Sequence, residues 1–463
     1  MPDVEKFENL VLGSGAAGKL LTWTLAGTGH RTAVVERRPL GGACPNVACL
    51  PSKNVIHSAR VASLAKRGAE FGLNFNSLSF DMGSVRRRKR LMVEGLQEFH
   101  LNQTMASGAN LFRGEARFVG PRALEVDLRD GGKKTISGER VFIDVGTHAA
   151  IPAVPGLGEA KPMTHVEALD LARLPEHLIV LGGGYVGLEL SQAFRRFGSR
   201  VTVIERGPQL ASREDPDISN ALKDLFVDEG IEVLLGTSVS QVEGNSGQRI
   251  RVHIEDGQSR RVIDGTDLLV ATGRTPNTEN LGLDETSVEL DQRGYIKVNE
   301  HLLTTSENVW AMGECAGSPQ FTHVSADDFQ IVLANLHGGN RTTARRLIPF
   351  CMFTDPELAR VGKNESEAHR EGVEYRLAKL PIAEILRTRT VSEPRGLMKV
   401  LVAKNSDEIL GFAAFGIEAS ELMVAIQTAM LGRMPYTVLR DAILAHPTIS
   451  EGLSLLLANV PAR

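Results

Sequence analysis

The strongest constraint on this chain is a pattern that occurs twice. Leu10-Val11-Leu12-Gly13-Ser14-Gly15-Ala16-Ala17-Gly18 is followed by a helix-like run from Lys19 to Ala26, then by the apolar run Thr32-Ala33-Val34-Val35, which ends in Glu36. Leu178-Ile179-Val180-Leu181-Gly182-Gly183-Gly184-Tyr185-Val186-Gly187 is followed by Leu188 to Phe197, then by Val201-Thr202-Val203-Ile204-Glu205. In both copies the acid stands 18 residues after the third glycine (Gly18 to Glu36, Gly187 to Glu205). The pattern is strand, glycine-rich turn, helix, strand, acid. Its first glycine permits the tight turn, the second lets the backbone approach a pyrophosphate, and the third lets helix and strand pack closely. The helix N-terminus then turns unpaired N–H groups toward the phosphates, and the acid accepts hydrogen bonds from a ribose. One such motif is weak evidence; two in full context predict two dinucleotide sites in α/β domains. A chain with two dinucleotides is suited to carrying electrons between them.

Between the two copies lies Gly41-Gly42-Ala43-Cys44-Pro45-Asn46-Val47-Ala48-Cys49-Leu50-Pro51-Ser52-Lys53, which holds two of the chain's four cysteines. Pro51 is favoured in a helix's first turn, and Asn54 to Lys66 reads as a helix. Cys49 therefore falls at or beside a helix N-terminus, where the dipole favours a thiolate. Lys53, four residues on, adds positive charge on the same face. Closing so short a ring costs little loop entropy, so the two sulfurs suit a cycle between disulfide and dithiol. A zinc site needs two more ligands, and Cys315 and Cys351 do not supply them at ligand spacing. Two inert buried cysteines are the other plain reading.

At 463 residues the chain has room for two to four domains. A net charge of -4, with 42% hydrophobic and 23% charged residues, is ordinary for a soluble globular protein and does not point to nucleic acid or a membrane surface. The basic run Arg86-Arg87-Arg88-Lys89-Arg90 reads as a solvated helix face. The start, MPDVEKFENL, reads as charged residues running into a strand, with no signal peptide expected. Sparse cysteines suggest a reducing, cytoplasmic compartment.

These motifs resemble those of the pyridine nucleotide–disulfide oxidoreductases, the group that includes dihydrolipoamide dehydrogenase, glutathione reductase and mercuric reductase. The family's redox motif, GG-x-C-x-N-x-G-C-x-P-S-K, is matched at every fixed position except Ala48, where the family has Gly. The order of parts is also similar over nearly the whole chain. The resemblance implies two Rossmann-like domains, for FAD and NAD(P), and a C-terminal α+β dimerisation domain. The expected boundaries are 1–150 for the first part of the FAD domain, 151–270 for the NAD(P) domain, 271–344 for a central FAD-binding segment, and 345–463 for dimerisation.

Carried onto this sequence, the resemblance assigns Gly13, Gly15, Gly18, Glu36, Gly42, Lys53 and Gly146 to the FAD site. Ala271-Thr272-Gly273-Arg274-Thr275-Pro276-Asn277 matches the family's ATGR-x-PN turn and adds Gly273 and Arg274. Trp310-Ala311-Met312-Gly313-Glu314 resembles its second FAD motif, with Glu314 in place of Asp. Thr322-His323-Val324-Ser325-Ala326 is expected to open a helix toward the flavin. His323 matches a histidine of dihydrolipoamide dehydrogenases; a helix-entry histidine without chemistry is an equal reading. Gly182, Gly184, Tyr185, Gly187 and Glu205 are assigned to the nicotinamide nucleotide, with Tyr185 covering the flavin. Glu205 favours NADH over NADPH, because an acid repels a 2′-phosphate; Arg206 could contact one.

For catalysis the resemblance implies Cys49 next to the flavin and Cys44 exchanging with substrate. Lys53 would pair with Glu189. His446-Pro447-Thr448-Ile449-Ser450-Glu451 matches the motif HPT-x-x-E, so His446 and Glu451 would serve the disulfide of the other subunit in a homodimer. The expected reaction passes electrons between NAD(P)H, FAD, the Cys44–Cys49 pair and a small thiol or disulfide. Alternatives are dihydrolipoyl dehydrogenase proper, an NAD(P)H-dependent flavin oxidase or quinone reductase with bystander cysteines, and a non-enzymatic redox sensor. The tail, Asn459-Val460-Pro461-Ala462-Arg463, lacks the cysteine pair of mercuric reductases, so Hg(II) reduction of that type is not expected.

Overall fold

The computed structural model describes residues 4–74, 77–257 and 259–463. The chain divides into two compact units. One comprises Met1–Val55, Gly83–Ala150 and Gly273–Arg346; the other comprises Ile56–Met82, Ile151–Thr272 and Leu347–Arg463. Residues 56–82, which the sequence reading kept inside 1–150, group with the second unit.

The first unit opens with β1 (Glu5–Leu12), α1 (Ala16–Gly27) and β2 (Thr32–Glu36). A short α2 (Ala43–Asn46) follows, then α3 (Cys49–Lys66), of which the part up to Val55 belongs to this unit, α4 (Met82–Ala106), which belongs to it from Gly83, β3 (Asn110–Gly120), β4 (Ala123–Leu128) and β5 (Lys133–Ile143). β1 pairs in parallel with β2 and with β5: Leu10 lies opposite both Ala33 and Val141. The strand Val309–Ala311 extends the sheet from β5, and β3 extends it from β2. Successive strand residues face opposite sides, and both sides are apolar. Leu10, Leu12, Ala33, Val35, Val141 and Ile143 join one core. Val11, Val34 and Phe142 join the other, with Ala17, Leu21 and Leu25 of α1 and with Ile331 and Val332 of the helix Thr322–Leu336. This explains why the strands read as continuous apolar runs: the parallel sheet is covered on both faces. The second cover is the antiparallel meander of β3, β4 and β5, which contributes Phe118, Leu124, Val126 and Ile136.

The second unit repeats the arrangement. The strand His177–Leu181 lies in parallel between Arg200–Ile204 and Asp267–Val270, with Glu232–Leu234 outside. The helix Tyr185–Phe197 follows the first of these strands. A three-stranded antiparallel sheet (Ser238–Asn245, Arg249–Glu255, Arg260–Gly265) adds Val242, Ile250, Val252 and Ile254 to the core that holds Ile179, Leu181, Leu268 and Val270. Leu347–Arg463 builds a five-stranded antiparallel sheet in the order 349–352, 357–362, 409–416, 397–403, 375–381. Its core includes Ile426, Leu453, Leu456 and Leu457 from the helices Ala419–Leu431 and Glu451–Ala458.

Asp215, Asp217 and Glu365 converge in this unit, and the fully buried Lys399 fills the space between them, at 2.6, 2.7 and 2.8 Å. This acid cluster therefore holds an ammonium. Among the described residues, no helix is long and apolar enough to cross a membrane. The basic run begins in the second turn of α4, inside the helix rather than ahead of it; Arg87, Arg88 and Arg90 are exposed and Lys89 is buried.

Candidate redox and dinucleotide sites

The two glycine-rich turns agree down to their closest contacts. A Cβ on Gly13 (φ +94°) would lie 2.4 Å from the Asp144 carbonyl oxygen, and one on Gly18 would lie 2.3 Å from that of Gly13. A Cβ on Gly182 (φ +108°) would lie 2.4 Å from the Ala271 carbonyl oxygen, and one on Gly187 would lie 2.3 Å from that of Gly182. Glycine is thus required by geometry at all four places. Gly15 and Gly184 cap the following helices, and neither helix start carries a side-chain cap. The orphan N–H groups of a helix start are what binds a phosphate.

Glu36 and Glu205 occupy matching positions. Glu36 accepts hydrogen bonds from the Ser14 N–H (2.9 Å) and O–H (2.7 Å) and from the Arg38 N–H (2.8 Å). Glu205 accepts from the Gly183 N–H (2.7 Å) and the Gly207 N–H (2.6 Å). Each carboxylate closes its own turn. Beside Glu36 a recess of about 380 Å³ is lined by Arg38, Leu40, Gln97, Leu101, Arg113 and Arg129 among others. Its size and mixed lining suit an adenosine.

Asp144, at the end of β5, is buried among these glycines. Its carboxylate accepts the Gly18 N–H at 2.7 Å, and a Cβ on Gly15 would lie 2.5 Å from the same oxygen. Burial pushes its pKa well above the usual carboxylate range, and the charges of Asp328, Glu36 and Glu314 push in the same direction. Burial thus disfavours a negative charge on Asp144 beside the turn. Sequence reasoning missed it; the signal was an acid closing the apolar run Val141-Phe142-Ile143.

The redox loop presses on the same turn. Gly42 adopts φ +73°, and a Cβ there would lie 2.7 Å from the Gly15 Cα. The Asn46 amide donates to the carbonyls of Gly42 (2.8 Å) and Leu40 (3.0 Å), while its oxygen accepts from Gln97 of α4 (2.8 Å). Ala48 is not among the residues at positive φ, so the absence of the family's glycine leaves the loop unstrained. α3 begins at Cys49, as the motif predicts. The Cys49 sulfur lies 3.4 Å from the Thr322 hydroxyl. Cys44 and Cys49 are in the dithiol form. The Cys44 thiol is pushed up, first by its hydrogen bond to Cys49 and then by burial; Thr322 and Lys19 act in the opposite direction.

Thr322 is the first residue of the helix Thr322–Leu336, and His323 stacks on Phe321 with ring centroids 5.1 Å apart. Gly146 (φ +64°) and Gly273 (φ +127°) face open space where a Cβ would stand. The Arg274 guanidinium donates to the Thr147 hydroxyl (2.5 Å) and to Glu314 (3.0 Å), and the Thr147 hydroxyl also donates to Glu314. The extra methylene of Glu314, relative to Asp, is therefore absorbed by the side chain turning to Arg274 and Thr147. The Gly313 N–H donates to the fully buried Asp328 (2.7 Å).

In the second unit the Tyr185 hydroxyl donates to Glu214 at 2.8 Å. Burial and then Glu214 push the phenol well above its ordinary range. Glu189 is buried and accepts the Phe353 N–H at 2.8 Å. His446 is exposed, and its Nδ1 lies 2.9 Å from Glu451. A carboxylate only accepts, so Nδ1 carries the proton and Nε2 is left with its lone pair. Lys53 sits at the start of the second turn of α3, half-buried.

A glycine-framed pair of helix starts, acid-tipped strands and an adenosine-sized recess fit FAD and a nicotinamide dinucleotide. The comparisons agree. The family model for pyridine nucleotide-disulphide oxidoreductases matches residues 7–328, and the dimerisation-domain model of the same family matches residues 348–456. The probable pyridine nucleotide-disulfide oxidoreductase RclA of Escherichia coli (strain K12) is 33% identical over 464 residues, covering 99% of this chain and 100% of that one. A mercuric reductase of Acidithiobacillus ferrooxidans is 34% identical, covering 98% of this chain and 82% of that one. The structure of a Cu(II) complex of the HOCl-induced flavoprotein disulfide reductase RclA from Escherichia coli superposes with a TM-score of 0.89 at 31% identity, covering 98% and 99% of the two chains. The chain belongs to the pyridine nucleotide-disulphide oxidoreductase family, FAD-dependent enzymes that move electrons between a pyridine nucleotide and a redox disulfide.

Proposed function

We propose that this enzyme reduces a small disulfide or a comparable thiol-reactive oxidant through Cys44 and Cys49, and that it draws on NADH. FAD, when bound, supplies the two-electron carrier between the nicotinamide and the sulfurs. The observation that carries the reading is the sulfur pair at the start of α3, with Cys44 hydrogen-bonded to Cys49. A pair of electrons delivered to Cys49 breaks the Cys44–Cys49 bond, and Cys44 leaves as a thiolate. The Cys44 sulfur then attacks one sulfur of the acceptor. A new S–S bond forms, the acceptor's other sulfur departs, and it takes a proton. Cys49 attacks Cys44, releases the second acceptor thiol and restores the disulfide. His446, held by Glu451 through Nδ1, is assigned the proton transfer at Nε2.

The remaining assignments follow the family resemblance. Lys53 and Glu189 support the flavin. The glycines 13, 15, 18, 42, 146, 273 and 313, with Glu36, Arg274, Glu314 and His323, frame FAD. Glycines 182, 184 and 187, with Tyr185 and Glu205, frame the nicotinamide nucleotide. Glu205 supports NADH, since an acid at the strand end disfavours a 2′-phosphate. A homodimer would bring His446 to the partner's disulfide. Exposed Ile443, Leu431, Val438 and Leu386 give the C-terminal domain the apolar surface that a dimer needs. Cysteine usage supports a cytoplasmic location.

A second acceptor class is a thiophilic metal ion, because a relative of full-length coverage was solved as a Cu(II) complex. The test is anaerobic assay with NADH against small disulfides, lipoamide and Cu(II), comparing the parent with Cys44→Ser. Disulfide turnover should vanish in the variant. If it persists, the cysteines are bystanders and the quinone reductase reading replaces this one.

A further inference from the structure

We propose that Lys19 is the cation that serves the exchange thiol: its ammonium, held by His100 beneath the redox loop, stabilises the Cys44 thiolate when the disulfide opens and again when Cys44 attacks the acceptor. The inference deepens the reading of Cys44 as the exchange thiol and rests on it.

Lys19 follows the last glycine of the turn and reads in sequence only as the first residue of a helical run. In the structure its ammonium lies 2.8 Å from the His100 Nε2. The other ring nitrogen, Nδ1, lies 2.5 Å from the Leu96 carbonyl oxygen, one turn back on α4. A carbonyl only accepts, so Nδ1 carries the proton and Nε2 offers a lone pair to Lys19. Burial and the neighbouring Lys19 both lower the His100 pKa, which keeps the ring neutral. Trp23 stacks on His100 at 5.8 Å between centroids, and its indole N–H is tied to the Thr104 hydroxyl at 3.0 Å. The ammonium itself lies 5.9 Å from the Trp23 ring centroid. Lys19 is thus clamped by an imidazole and an indole, both fixed in turn.

This clamp lies against the loop that carries Cys44. A Cβ on Gly41 would meet His100 Cε1 and Nδ1 at 3.2 Å and Pro45 Cγ at 2.8 Å. Gln97, on the same helix, holds Asn46 on the other side of Cys44. The groups facing Lys19 are His100 from α4, Asp144 from the end of β5, and Cys44 from the loop. Burial lowers the Lys19 pKa, and the two charges that act back on it are those of Cys44 and Asp144. No carboxylate stands within ion-pair distance of Lys19 among the described residues. Desolvating an ammonium without a counter-ion is costly. His100 offers no negative charge, and burial disfavours one on Asp144. The other anion that faces this lysine is the Cys44 sulfur, formed when the disulfide opens.

Charge accounting gives the lysine its task. Two electrons break the Cys44–Cys49 bond and leave two sulfurs with two negative charges; one proton neutralises one of them. The start of α3 serves Cys49, and Lys19 serves Cys44. Because it acts through Cys44, Lys19 is a positioning residue, and so is His100.

The test reads Cys44 directly. In the FAD-loaded, dithiothreitol-reduced Cys49→Ser protein, the rate of iodoacetamide alkylation at Cys44 is followed against pH by peptide mass spectrometry. Adding Lys19→Met should move the profile up by about one pH unit, so that alkylation at neutral pH falls about tenfold. Lys19→Arg should restore most of the rate. His100→Gln, which leaves α1 and its turn intact, should shift the profile in the same direction by less. Profiles for Lys19→Met and His100→Gln that overlay the parent would overturn the proposal, as would loss of FAD from Lys19→Met with an unmoved thiol profile, which would make Lys19 a cofactor ligand instead. Bystander cysteines would show up separately, as disulfide turnover that survives Cys44→Ser.

Discussion

His446 and Glu451 form a hydrogen-bonded pair at 2.9 Å, with the imidazole exposed and the carboxylate mostly covered. Glu451 opens the helix Glu451–Ala458, whose other face is packed into the C-terminal core through Leu453, Leu456 and Leu457. A rigid element therefore holds the carboxylate that orients the imidazole. His446→Gln should lower disulfide turnover by about 10²–10⁴-fold, the usual worth of a positioned acid–base group. Flavin reduction by NADH, followed by stopped flow, should be unchanged. Glu451→Gln should cost less.

Asp144 should couple stability to pH. Its pKa is raised in the folded protein, first by burial. Stability from this group is then fully present below the ordinary carboxylate pKa and is lost as pH rises toward the raised folded value. Thermal melts across that range should show the parent losing stability relative to Asp144→Asn as pH rises. Asp144→Ala should cost about 1–3 kcal/mol, because the Gly18 N–H loses its buried acceptor.

Lys399 is enclosed by Asp215, Asp217 and Glu365. Removing one partner from a buried charge cluster is strongly destabilising, because the rest are left uncompensated. Lys399→Met should lower unfolding free energy by about 3–5 kcal/mol in denaturant titrations. A variant as stable as the parent would mean that the three acids are solvated or protonated without the lysine.

Glu205 should set the choice of nicotinamide. Glu205→Gln removes the charge that repels a 2′-phosphate, so the ratio of kcat/KM for NADH over NADPH should fall about tenfold, roughly 1.4 kcal/mol. Steady-state assays with both nucleotides read this. An unchanged ratio would move the discrimination to Arg206 or elsewhere in the turn.

The dinucleotide frames were legible because each rests on local rules. Glycines at fixed offsets leave a backbone-to-backbone contact that no Cβ fits, and an acid ends the next strand; both signals lie within one βαβ unit. Cys49 at the start of α3 was legible for the same reason, through Pro51 and the motif spacing. Lys19, His100, Asp144 and Thr322 were not. Their roles come from residues 81 to 273 positions apart, as in the Lys19–His100 contact, the Gly18–Asp144 hydrogen bond and the Cys49–Thr322 contact. No periodicity encodes such meetings. Glu314 shows a further limit: its identity was visible, but its turn toward Arg274 and Thr147 depends on a strand pair, Arg274–Pro276 with Thr147–Ala149, that the sequence did not announce.

Counting reducing equivalents tests the sulfur relay most directly. Under anaerobic conditions the FAD-loaded, oxidised enzyme is titrated with NADH, and the thiols that appear are counted with a chromogenic thiol reagent after denaturation. The parent should take up two hydride equivalents per subunit and gain two thiols, one from each of Cys44 and Cys49. The Cys44→Ser and Cys49→Ser variants should take up one equivalent and gain none. A parent that accepts a single equivalent and gains no thiols would contradict the relay and leave the pair without a part in turnover.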